Sequence, residues 1–228
     1  MQKTELIVML TYNDLTVNNA IEVFNDNKDT PVEYWGIKEE GIPFEEMKTL
    51  FDCMKKYGKK TVLEVVAYTE AECMKGAQTA AECGCDLLIG TLFFDSVNEF
   101  CEKQGIAYMP YVGKVSERPS ILEGSAEGMI KEADEYVNKG AFGINLLGYR
   151  HVSDQFDLSK KVVSGLSSRV SLAGGINSFD RLAEVKEISP WGFTIGSAFF
   201  DKKFGDSFKE QIENVYEYIN EKEKAGAI

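Results

Sequence analysis

One histidine in 228 residues is the scarcest functional group of the chain, and its scarcity excludes the His-x-x-x-His pair on which many zinc sites are built. Cysteine gives no framework either. There are five, an odd number, and the only close pair, Cys83-Gly-Cys85, misses the two-residue gap of common zinc and redox motifs. Reduced, partly buried thiols are the reading, with no metal ligands assigned. Basic charge is short: 25 Lys and Arg stand against 37 Asp and Glu, for a net charge of −12. That balance excludes nucleic acid and anionic membrane as main partners, since neither offers a counter-charge. Long hydrophobic runs are missing as well. The opening "MQKTELIVMLTYND" is too short in its apolar part for a signal peptide or a span, so a cytoplasmic protein is expected. With no linker and no low-complexity segment, 1–228 reads as a single domain, and 224–228 as a frayed tail.

What is present is a regular alternation of short apolar runs and amphipathic stretches. Strands are expected at 5–11, 32–37, 61–67 and 87–90, within "KQGIAYMPYVG" and "FGINLLG", and at the runs ending in Ala173-Gly174-Gly175-Ile176 and Ile195-Gly196-Ser197. Helices are expected between them: 15–26 with Asp14 as N-cap, one opened by Pro43, Glu45 and Glu46, and one capped by Thr69 and running through Glu82. Others are expected at 95–103, 126–139, up to about 163, and 207–223, with "GKVSERPSILEGS" as a long loop. Eight strand-helix units imply a parallel sheet closed into a single (β/α)8 TIM barrel. The rival, a doubly wound open sheet, more often carries a glycine-rich turn after strand one, and "LTYNDL" has none.

Active sites of such barrels lie at the C-terminal strand ends, which narrows the search. Glu64, inside "TVLEVVA", would be costly facing the helices, so it is expected to face the interior with Val62, Val66 and Tyr68 in its row. Lys38 follows strand two and can pair with Glu64 or steady an enolate or a phosphate. Asn145 repeats the interior argument with a neutral amide. Arg150 and His151 after strand six, and Lys114 and Arg118 in the long loop, are candidate substrate contacts; the alternative for each is ordinary surface charge. Schiff-base chemistry ranks low because no lysine is expected inside a strand. Glycine N–H groups at Gly174, Gly175 and Gly196 suit a phosphate at a strand-to-helix junction.

Through "LAGGI", "IGSAFF" and the eightfold alternation, the chain resembles the phosphate-binding TIM barrels, the ribulose-phosphate-binding and tryptophan- and histidine-biosynthesis barrels. The resemblance implies a phosphate role for Gly174, Gly175, Ile176, Gly196 and Ser197 alone. It is architectural elsewhere. The Asp-x-Lys-x-x-Asp of the orotidine-phosphate decarboxylase group reads "LEVVAYTE", the metal-binding histidines of ribulose-phosphate epimerase have no counterpart, and Asn145 stands where the keto-deoxy-phosphogluconate aldolase carries its Schiff-base lysine.

Three functions remain open. The first is an isomerase or lyase on a small, sugar-phosphate-like metabolite, with Glu64 moving a proton and Lys38 and Asn145 polarising a carbonyl. The second is a barrel that senses a phosphorylated ligand without chemistry. The third, ranked last, is an FMN-binding barrel using the same glycine loops. No cofactor is predicted, a Mg²⁺ shared with the phosphate stays open, and so does a homodimer.

Overall fold

Apolar residues spaced for pleats become strands, and those spaced for helical faces cover them. A computed structural model describes residues 3–221. In chain order it contains β1 (Glu5–Met9), β2 (Thr11–Tyr12), β3 (Leu15–Thr16), α1 (Ala20–Asn27), β4 (Tyr34–Lys38), α2 (Phe44–Lys56), β5 (Lys60–Ala67), α3 (Glu70–Glu82), β6 (Leu87–Thr91), α4 (Asp95–Gln104) and β7 (Ala107–Met109). There follow β8 (Lys114–Ser116), β9 (Ile121–Glu123), α5 (Ala126–Asn138), β10 (Gly143–Leu146), a 3-10 turn (Gly148–Arg150), α6 (Gln155–Gly165), β11 (Arg169–Leu172), α7 (Phe179–Ile188), β12 (Gly192–Ile195), α8 (Ser197–Phe200) and α9 (Phe208–Asn220).

Eight of the strands form one parallel sheet in the order β10-β11-β12-β1-β4-β5-β6-β7. Its two ends meet. Phe142 N–H donates to Tyr108 O at 2.9 Å and Asn145 N–H to Pro110 O at 2.8 Å, so the sheet closes on itself. The fold is a single (β/α)8 barrel, as the alternation implies. The expected frayed tail, 224–228, lies outside the described residues.

Alternation along each strand sorts the core into two. Ile7, Met9, Val62, Leu87, Ile89 and Met109 fill the barrel, while Leu6, Val8, Leu63, Leu88 and Tyr108 face the helices. Helix α2 shows how the outer layer is built. Pro43 precedes it in extended conformation, Glu45 and Glu46 sit at its positive end, Lys55 and Lys56 at its negative end, and Met47, Leu50, Phe51 and Met54 are buried. Truncating the fully buried Phe51 to alanine is expected to cost about 3–5 kcal/mol in urea denaturation without moving any group of the barrel mouth.

Two expectations fail locally, and each failure shapes the mouth. The helix foreseen from residue 15 begins at Ala20, with Asn19 rather than Asp14 at its N-cap position and no side-chain capping bond. Asn13 and Asp14 instead have φ of 48° and 69° and turn a tight hairpin pairing Thr11 with Thr16 and Tyr12 with Leu15. Positive φ at both central residues is the two-residue hairpin turn that matches strand twist, and Asn-Asp suits it. The loop "GKVSERPSILEGS" is likewise an antiparallel hairpin, β8 against β9.

Candidate functional site

Lys38 and Glu64 are register partners on neighbouring strands, at the upper end of the barrel interior. The pleat that points Tyr34 and Gly36 inward points Lys38 inward too, and its side chain keeps only 9% of its exposure. The ammonium lies 3.9 Å from Glu64 Oε1 and donates to Asp14 Oδ1. Burial pushes the Lys38 ammonium down, but the Glu64 and Asp14 carboxylates outweigh it and hold it above its ordinary value. Burial acts the other way on Glu64 and raises its carboxyl; Lys38 pulls it back only in part. A raised carboxyl beside a fixed cation is suited to giving and taking a proton.

Placing Lys38 as the last residue of β4 corrects the expectation that no lysine sits within a strand. Schiff-base chemistry is disfavoured on different ground: this amine is held protonated rather than depressed. The interior row of Glu64 is also shorter than expected. Val62 shares it, but the register shifts between Glu64 and Ala67, and Tyr68 leaves the row. Its hydroxyl donates to Glu117 O at 2.6 Å and lies 3.0 Å from Ser120 Oγ, on the β8–β9 hairpin. Gly90 makes the room for Glu64. It has φ of 95°, and a Cβ there would come within 3.0 Å of Glu64 Cγ and 3.3 Å of Tyr111 Oη.

Above this floor a cavity of about 370 Å³ opens at the C-terminal strand ends. Gly174, Gly175, Ile176, Gly196 and Ser197 all line it, as do Asp14, Lys38, Glu64, Tyr111 and Arg150. Gly174 and Gly175 adopt φ of 95° and 77°, and nothing lies within 4 Å of the place a Gly175 Cβ would take, so this wall is bare backbone. A Cβ on Gly174 would meet Arg150 Cγ at 2.7 Å, which sets the guanidinium stem against the glycine loop. Gly196 packs against Thr11 too closely for any side chain, and the short helix α8 starts directly after it. Asn13 N–H donates to Ser197 Oγ at 3.2 Å, leaving that hydroxyl's own proton free for a ligand. Bare backbone after the last two barrel strands is the kind of wall that suits an anion.

The remaining candidates divide. Asn145 is fully buried inside the barrel with neither amide atom hydrogen-bonded. Arg118 stands at the rim, where it pairs with Glu39 at 3.1 Å and Glu40 at 3.2 Å and donates to Val66 O, so its charge is spent on protein. Lys114 does not reach the cavity: it is exposed on β8 and bonded to Glu123 at 2.8 Å across the hairpin. His151 is not solvated and not in the mouth. It is 6% exposed, with Nε2 3.0 Å from Gly124 O and Nδ1 accepting from Ser153 N–H, which ties the 3-10 turn to the hairpin. Asn13 and Asp14 also line the cavity, and so do Tyr111, Asn177, Thr194 and Asp201, which were not singled out from sequence. For Tyr111 the signal was there, since the inward row of Ala107 and Met109 in β7 continues at the two-residue period to 111.

A larger cleft of about 610 Å³ opens at the other end of the barrel, beside Phe142, Arg169, Pro190 and Trp191. Volume favours it and chemistry does not: it holds no interior carboxylate and no glycine cradle, and Arg169 is stacked on Phe142 at 4.2 Å. Among the described residues no group of three or more His, Cys, Asp or Glu side chains is placed to hold a metal ion. Nor is any helix among them long and apolar enough to cross a membrane. The cysteines are unpaired; Cys73, Cys83, Cys85 and Cys101 are buried and Cys53 half-buried.

No family model and no curated protein matches the chain in sequence. Its fold, however, is shared with many solved structures. A tryptophan synthase alpha chain from Legionella pneumophila superposes with a TM-score of 0.66 at 14% identity, covering 99% of this chain and 94% of that one. Orotidine 5'-phosphate decarboxylase from Pyrococcus horikoshii gives 0.66 at 12% identity, over 95% and 99% of the two chains. The N-acetylmannosamine-6-phosphate 2-epimerase from Clostridium perfringens gives 0.62 at 13%, over 85% and 86%. At these identities the likeness establishes the barrel, in keeping with the resemblance drawn from "LAGGI" and "IGSAFF".

Proposed function

We propose that the protein is an enzyme acting on a small phosphorylated metabolite, of isomerase or lyase type. One observation carries the reading: a single cavity sets the bare backbone of Gly174, Gly175, Gly196 and Ser197 across from Glu64 and Lys38. The phosphate sits on the glycine wall, where N–H groups and the Arg150 side chain neutralise it. This fixes the rest of the ligand over Glu64, which takes a proton from carbon next to a carbonyl and returns it. Lys38 stays charged and steadies the oxygen on which negative charge develops. Asp14 holds that ammonium in place from the hairpin turn. Two of the similar barrels, an epimerase and a decarboxylase, are named for phosphorylated compounds and support this class of ligand by analogy.

Thermal stability against a panel of sugar phosphates, with inorganic phosphate as baseline, tests the reading. A specific ligand at 100 to 1,000 times its Kd is expected to raise apparent stability by roughly 2–4 kcal/mol. The gain is expected to vanish in Gly175→Asp, which sets a carboxylate into the cradle at a positive φ. A silent panel, or a gain that survives Gly175→Asp, would remove the phosphate from this site.

A further inference from the structure

Beneath the cavity floor lie polar atoms that the protein itself leaves without partners. Tyr111 Oη, both amide atoms of Asn145 and Ser171 Oγ are buried and make no hydrogen bond. They come from adjoining positions. Tyr111 bridges Asn145 across the seam that closes the barrel, and Asn145 is the register partner of Ser171. Asn145 and Ser171 point inward, since their neighbours Ile144, Leu146, Val170 and Leu172 face the helices, and Tyr111 reaches the same interior where it lines the cavity. Tyr111 lines the cavity, and its hydroxyl and Glu64 Cγ both approach the empty Cβ position of Gly90. The cluster therefore extends from the proton-transfer group down into the barrel.

Leaving four such atoms unpaired is unfavourable unless something arrives to bond them. Their chemistry says what. A tyrosyl hydroxyl, a carboxamide and a seryl hydroxyl each both donate and accept, and none carries charge. Burial and the nearby Glu64 carboxylate raise the Tyr111 phenol well above its ordinary value, so it stays a donor at every working pH. Hydroxyl and hydroxyketone groups match a mixed set of donors and acceptors. A carboxylate only accepts, and it would be set against the buried Glu64.

We propose that Tyr111 and Asn145, backed by Ser171, bind the end of the ligand remote from its phosphate, and that this end is an uncharged polyol or hydroxyketone rather than a carboxylate. The proposal rests on the phosphorylated-ligand reading and narrows it to ketose- or alditol-phosphate-like compounds. Asn145 gains a defined role: its amide orients the hydroxyls beside the carbon that Glu64 addresses.

Calorimetric binding to wild type, Tyr111→Phe and Asn145→Leu tests it, with three probe groups: pentulose and hexulose phosphates, phosphoglycerates, and inorganic phosphate as baseline. Wild type is expected to prefer its best ketose phosphate over any phosphoglycerate at least tenfold. Each variant is expected to lose most of that preference while binding inorganic phosphate within about twofold of wild type. Tyr111→Phe removes one unpartnered oxygen, so its midpoint of denaturation is expected to match or exceed that of wild type. A phosphoglycerate bound as tightly as any ketose phosphate would overturn the proposal. So would variants that keep the full preference, or a water bridging Tyr111 and Asn145 that stays in place when ligand binds. If no probe binds wild type at all, the phosphate reading itself fails, which is a different result from any of these.

Discussion

Glu64→Gln is expected to lower turnover on the substrate by about 10²–10⁴-fold, the span usually lost with a positioned general base. Glutamine keeps the shape and a hydrogen-bonding oxygen but cannot take the proton, so ligand affinity is expected to change little. Stability separates this from simple damage to the fold. The folded-state carboxyl is raised above its unfolded value of 4.5, so the native state holds a proton that the unfolded chain has already released. Stability must then fall as pH climbs from about 4.5 through the raised folded value. Glu64→Gln lacks that proton and is expected to lose this slope and be at least as stable as wild type at pH 7. A variant that turns over normally, or that is inactive only because it unfolds, would contradict the role given to Glu64.

Lys38→Met is the second large effect. Its ammonium is the cation facing two carboxylates, Glu64 at 3.9 Å and the closer Asp14. Removing one partner of a buried ion pair leaves the other charge uncompensated, at a cost of roughly 3–5 kcal/mol. The lower end is expected, because Asp14 keeps 41% of its side-chain exposure and can be hydrated. Urea denaturation at pH 7 and at pH 5 reads the mechanism. At the lower pH more of the Glu64 carboxyl, pushed still higher without Lys38, carries its proton, and the loss is expected to shrink. Adding Glu64→Gln to Lys38→Met is expected to restore part of the stability, since the two sites are coupled. Equal losses at both pH values, or strictly additive effects, would show that the pair is not a coupled ion pair.

The barrel was legible because each strand is an apolar run bounded by its own stop signals, and because Thr69 and the Pro43-Glu45-Glu46 start mark helices that form where expected. The interior direction of Glu64 was legible from the cost of the alternative. Asp14 was misread because a helix cap and a hairpin turn draw on the same residue types; what decides is Thr11 and Tyr12 finding Thr16 and Leu15 as pairing partners, a contact no local rule contains. The same limit hid the β8–β9 hairpin and, with it, the partner of Lys114. His151 shows the reverse case. Its loop looks solvated in sequence, yet Gly124, 27 residues away, covers it. Tyr68 escaped its row through a register shift, which depends on the packing of β5 against β6. Ion pairs that cross from one loop to another are set by tertiary approach, and these were the least readable.

The most direct measurement of the phosphate site is an amide-resolved NMR titration with glycerol 3-phosphate. Saturable shifts are expected at Gly174, Gly175, Gly196 and Ser197, with the amides of Arg169 and Trp191 at the opposite end unmoved. Shifts confined to Arg169, Trp191 and their neighbours, or no shifts at millimolar ligand, would contradict a phosphate held across the cavity from Glu64.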